Sequence, residues 1–140
     1  MLPEGLHSSN LNEVAASLAI NPWRRTLFDG LLDASRNLKQ AGCLRLYLDG
    51  SFVTGKPNPR DYDVCWDPKG VDPTLLDPVF LNFENRRAAQ KGKYKGEFFP
   101  SGWPADRAGN TFIDFFQIER FSGLKKGIVL IELPTEPMIQ

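Results

Sequence analysis

Three carboxylates and a Gly-Ser step are the residues of this chain whose types and spacing could do chemistry. In the stretch LDGSFVTGKPNPRDYDVCWD an alternating apolar run ends in Gly50-Ser51, and after nine intervening residues a second run opens on Asp61-Tyr62-Asp63. Side chains on a strand alternate, so residues two apart leave the same face, and the carboxylates of Asp61 and Asp63 can share a divalent cation. Two like charges this close call for some such compensation. Gly50 lets the backbone approach a ligand closely, and Ser51 offers a hydroxyl and an amide to phosphate oxygens at the start of a helical turn. A third acid, Asp114, sits in TFIDFFQ, an otherwise apolar run in which a charge is costly unless a metal or partner offsets it. Lys56, in the loop between the two runs, can neutralise phosphate charge. The plainer reading makes Asp61 and Asp63 surface acids beside the turn Asn58-Pro59-Arg60, with Arg60 as an ion-pair partner, and Asp114 an edge-strand acid facing water. The coincidence of all three parts favours the metal site.

The elements that must position these residues are readable in outline. Asn10 is the cap of a short helix, with Glu13 at the reciprocal position and Leu11, Val14, Ala15 and Leu18 at helical spacing. Asn21 caps a longer one, with Pro22 in its first turn, apolar positions at Trp23, Leu27, Phe28, Leu31, Leu32 and Leu38, and Gly42 as the stop. Leu44 to Asp49 alternates as a strand, and so does Asp61 to Trp66, which should pair with it. Pro73 to Ala89 reads as helical at its later end, with Pro78 breaking the start. Strands are expected over Thr111 to Ile118 and Gly127 to Leu133. Lys91, Lys93 and Lys95 would share one face if extended, although a solvated basic loop is the simpler reading. The expected order is helix, helix, β, β, helix, β, β in a single domain over 1–140, with a helical part over 1–42 and a sheet-containing core over 43–140.

Gly-Ser after one strand, Asp-x-Asp on the next and a third Asp further on resemble the nucleotidyltransferase superfamily of the polymerase-beta type. The LDGSFVT, DYD, KGEFFP and FFQ elements resemble a group of small bacterial and phage-associated proteins, and more distantly the chain is similar to minimal nucleotidyltransferase antitoxins paired with HEPN toxins. The resemblance implies an α/β (α+β) fold, a mixed β-sheet of about four to five strands with helices packed against it. It implies that Asp61, Asp63 and Asp114 hold two Mg²⁺ (or Mn²⁺) ions roughly 3.5 to 4 Å apart. Ser51 would contact the terminal phosphates, and Asp114 would help deprotonate the acceptor. The implied reaction is in-line transfer of an NMP group, by default AMP from ATP, to a hydroxyl of a protein, an RNA or a small molecule. The alternative is an inactive module of the same fold that acts through a protein partner such as a toxin.

Composition narrows the partners. Lys plus Arg and Asp plus Glu are 17 each, so no global field draws the chain to nucleic acid or to an anionic membrane, and direct nucleic-acid binding is not expected. No stretch approaches the ~18 apolar residues of a membrane span. The amino terminus has neither a basic leader nor an apolar core, and Cys43 and Cys65 lack disulfide or zinc spacing, so a cytoplasmic setting with buried, reduced thiols is expected. His7 has no acid or cysteine beside it and is assigned nothing. Trp23, Trp66 and Trp103 could stack on a base but are read as core.

Overall fold

The computed structural model describes residues 5–19, 21–49, 60–104, 107–112 and 127–139. Its strands are β1 (Gly5–Ser9), β2 (Arg45–Asp49), β3 (Tyr62–Trp66), β4 (Gly96–Pro100) and β5 (Gly127–Glu132), and its helices are α1 (Leu11–Leu18), α2 (Pro22–Gln40) and α3 (Glu84–Tyr94). The strands form one five-stranded sheet in the order β1-β5-β2-β3-β4. The outer pairs, β1 with β5 and β3 with β4, are parallel; β2 runs antiparallel to both β5 and β3. This is the mixed α/β architecture that the sequence implied.

Local chemistry explains the helix ends. Asn10 is extended, and its side chain accepts from the Glu13 N–H at 2.8 Å while its amide donates to Glu13 Oε1 at 3.0 Å. The reciprocal arm of the capping box thus reaches a side chain rather than the cap's own N–H. The Leu11 N–H is taken by the buried Glu136 carboxylate at 2.8 Å, which ties the carboxy-terminal segment to the start of α1. Asn21 accepts from the Arg24 N–H at 2.9 Å, and Pro22 opens α2 where a missing N–H costs nothing. Past the end of α2, Gly42 has φ +99°, and a Cβ there would stand 2.6 Å from the Gly70 carbonyl oxygen. Only glycine satisfies both conditions.

The core lies between the helices and one face of the sheet. Leu27, Phe28, Leu31, Ala34 and Leu38 of α2 pack in one cluster with Leu46, Leu48, Tyr62, Val64, Trp66 and Phe98 of the strands. Cys65 and Ile128 lie on the opposite face with Tyr47, Phe99 and Phe112 against them. The period of two in β2 and β3 decides which residues face the helices and which face away. Tyr62 crosses the core, and its hydroxyl donates to the Tyr94 carbonyl at 2.6 Å, joining β3 to the end of α3. Tyr62→Phe should leave that buried carbonyl without its donor and cost about 1–2 kcal/mol. An unchanged denaturant midpoint for the variant would show that the bond adds nothing.

Several expectations need correction. GLHSS forms β1 and pairs with β5, so the sheet is not confined to 43–140 and the first 42 residues are not purely helical. The strand read from Leu44 begins at Arg45, and Leu44 itself is 42% exposed. Pro78 starts a short 3-10 turn (Pro78–Leu81), and α3 begins only at Glu84. It runs through Lys91 and Lys93, so these lysines are helical and, two residues apart, do not share a face. Thr111 makes an isolated bridge to Pro104; the rest of the expected strand, from 113, lies outside the described residues. Trp66 is core as read, whereas Trp23 and Trp103 are 40% and 46% exposed.

Candidate metal centre

The β3–β4 pair carries the chemistry. Asp61 stands immediately before β3 and Asp63 within it, and their spacing places both on the sheet face turned away from α2. In the parallel ladder Asp63 is the register partner of Glu97 on β4; in the antiparallel ladder it is the register partner of Asp49. One oxygen each from Asp61, Asp63 and Glu97 lie within 4.8 Å of one another, and all three residues are partly buried. Two oxygens on one Mg²⁺ at about 2.1 Å stand at most about 4.2 Å apart, and on Ca²⁺ at most about 5 Å. A small shift therefore suffices for a shared cation, and an all-carboxylate set suits a hard ion such as Mg²⁺ or Mn²⁺.

Two cations from α3 complete the cluster. Arg87 donates through Nε and Nη2 to Glu97 Oε1, each at 2.8 Å, and the Lys91 ammonium lies 3.3 Å from the same oxygen. The Arg87 guanidinium also sits over the Phe99 ring, 5.2 Å from its centroid. Its delivery is unusual. Asn85, Arg86 and Arg87 are all left-handed, with φ of 52°, 56° and 63°, at the amino-terminal end of α3. Left-handed non-glycine backbone costs about 1–2 kcal/mol per residue and persists only where surrounding contacts fix it.

Burial, and after it the negative charge of Glu97, pushes the Asp61 carboxyl above its ordinary value, against Lys91, Arg87 and Arg60. Glu97 goes the other way. Burial pushes it up, but hydrogen bonds with Asp63, Arg87 and Lys91 outweigh this and hold it below the usual glutamate range. A raised folded-state value means that ionised Asp61 opposes folding above that value and ceases to do so below the unfolded value of 3.8. Asp61→Asn should therefore raise the melting temperature of the chelator-treated protein at neutral pH by a few degrees, and the gain should fade as pH falls through the raised folded-state value and be gone below 3.8. A gain that persists in acid would point to packing instead.

Of the residues read from sequence, Asp61 and Asp63 are brought together. Gly50, Ser51, Lys56 and Asp114 lie outside the described residues. Glu97 was missed, although the signal that singled out Asp114 is present in KGEFFP too: an acid in a short apolar run, alternating with Gly96 and Phe98. Both cysteines are buried thiols outside any disulfide, and burial pushes the Cys43 thiol up to about 11, so it is no nucleophile.

A model described as a family of unknown function, DUF6932, matches residues 1–132. The chain belongs to the DUF6932 family. That span takes in all five strands of the sheet, the three acids and both α3 cations, so the cluster lies within the DUF6932 region. No curated protein and no solved structure matches the chain. Among the described residues no helix is long and apolar enough to cross a membrane.

Proposed function

We propose that the protein is a divalent-cation-dependent nucleotidyltransferase that moves an NMP group, by default AMP from ATP, to a hydroxyl of a protein, an RNA or a small molecule. The observation that carries this reading is the convergence of Asp61, Asp63 and Glu97 oxygens within 4.8 Å on adjacent parallel strands. The Asp-x-Asp and Gly50-Ser51 resemblance supplies its reaction class. In this reading Asp61, Asp63 and Glu97 hold the ion, Asp114 joins them on the resemblance, and Mg²⁺ or Mn²⁺, when bound, supplies charge neutralisation for the phosphates. The acceptor oxygen forms a bond to the α-phosphorus as the bond to the bridging oxygen of the β-phosphate breaks. Pyrophosphate leaves, and the hydroxyl proton passes to a carboxylate. Ser51 enters as a phosphate contact on the resemblance and Lys56 on its place in the loop between the two runs, and a reduced, cytoplasmic setting belongs to the same reading.

The second reading is a binding module of the same fold that acts through a protein partner, antitoxin-like or phage-associated. It is favoured by the Arg87 and Lys91 ion pairs, which offset much of the cluster's charge without any metal. Calorimetric titration of ATP with and without Mg²⁺ separates the two. Binding that requires Mg²⁺ and is lost in a folded Asp61→Asn, Asp63→Asn variant is expected of the enzyme; a folded wild type that ignores ATP in both conditions would favour the module.

A further inference from the structure

Glu97 has two close cations, and both come from one helix. Arg87 and Lys91 are four residues apart on α3 and converge on a single oxygen, Oε1. Their side chains are 29% and 37% exposed against 15% for Glu97, so the cations are the more solvent-accessible partners of the pair. The backbone that presents Arg87 is the left-handed run Asn85–Arg87, a conformation kept only while its contacts hold. A guanidinium fork and an ammonium side by side suit a polyphosphate better than a lone carboxylate.

We propose that Arg87 and Lys91 are a counter-charge that occupies Glu97 until a cation-bound polyphosphate arrives, and that they then exchange the carboxylate for the phosphate oxygens. This rests on the nucleotidyltransferase reading of the acid cluster and adds a consequence that reading does not contain: bare metal ion and metal polyphosphate respond to the same residues with opposite sign. Metal alone must compete with the two cations for Glu97. Metal carrying a polyphosphate gives the cations a new partner and takes over the carboxylate in one event, so the site favours the loaded substrate over the free ion.

The test titrates Mn²⁺ alone, and then inorganic tripolyphosphate in the presence of Mn²⁺, into wild type, Lys91→Gln and Arg87→Gln, Lys91→Gln. The double variant should bind Mn²⁺ alone about tenfold tighter than wild type and bind tripolyphosphate about tenfold more weakly. Lys91→Gln changes a half-exposed side chain outside the left-handed run, so it should fold normally and move both affinities in the same directions by less, even if the double variant does not fold. Mn²⁺ affinity unchanged or weaker in a folded Lys91→Gln protein overturns the exchange. If wild type binds Mn²⁺ and Asp63→Asn abolishes it while the cation variants change nothing, the exchange fails and the metal site stands. If neither wild type nor any variant binds Mn²⁺, both fail together.

Discussion

Glu97→Gln is expected to weaken Mn²⁺-dependent ATP binding by on the order of a hundredfold while leaving the protein folded. Groups standing behind a metal ligand typically cost 10–100-fold when removed, so loss of a ligand belongs at or beyond the upper end of that range. Glutamine keeps an oxygen for the Arg87 fork at nearly the same volume, which separates the loss of negative charge from a loss of packing. Glu84→Gln is the matched control: Glu84 is an exposed acid in the first turn of the same helix and no member of the cluster. Calorimetry on both variants, with thermal melts to establish folding, decides the matter. ATP affinity in Glu97→Gln equal to that of Glu84→Gln would remove Glu97 from the site and leave only the two aspartates read from the sequence.

Gly30→Ala should destabilise the protein by about 2–3 kcal/mol, lowering its melting temperature by roughly 6–12 °C for a chain of this size. A Cβ on Gly30 would stand 2.0 Å from the Tyr94 carbonyl oxygen and 2.8 Å from its carbon. These are backbone atoms and cannot swing aside. The same carbonyl accepts the Tyr62 hydroxyl, so any shift that relieves the clash weakens that bond as well. Alanine's better helix propensity returns at most about 1 kcal/mol, which is too little to offset the overlap. Gly92 gives the contrast: it is also helical, exposed, and a Cβ there would meet nothing within 4 Å, so Gly92→Ala should gain from propensity alone. A Gly30→Ala protein as stable as wild type would mean that α2 and the end of α3 are less closely packed than described.

The same comparison of local against distant causes explains how much was legible beforehand. Helix starts at Asn10 and Asn21 and the stop at Gly42 were readable because capping chemistry acts within four residues. Strands β2 and β3 were readable because one buried face imposes alternation, and their antiparallel pairing places Leu46 against Trp66 and Leu48 against Val64. β1 carries no such pattern. GLHSS is a strand because β5 lies beside it, about 120 residues later in the sequence, and no local signal reports that. β4 is short and bounded by Gly96 and Pro100, so KGEFFP was assigned no element and Glu97 went unread. Nor can sequence spacing announce that Arg87 and Lys91 reach Glu97, because that meeting depends on a crossover folding α3 back along the strand that follows it.

One side chain on that crossover has an effect beyond the site. Among the described residues β4 is an end strand of the sheet, and its Phe98 N–H donates to the buried Gln90 Oε1 at 2.8 Å. An open strand edge offers its amides to any extended peptide, and proteins that leave one bare are prone to stack into aggregates. Here the chain's own glutamine takes that amide. A second molecule must first displace Gln90 to use it, so the edge nearest the carboxylates is guarded against fibre-like growth by the helix that also carries their counter-charges.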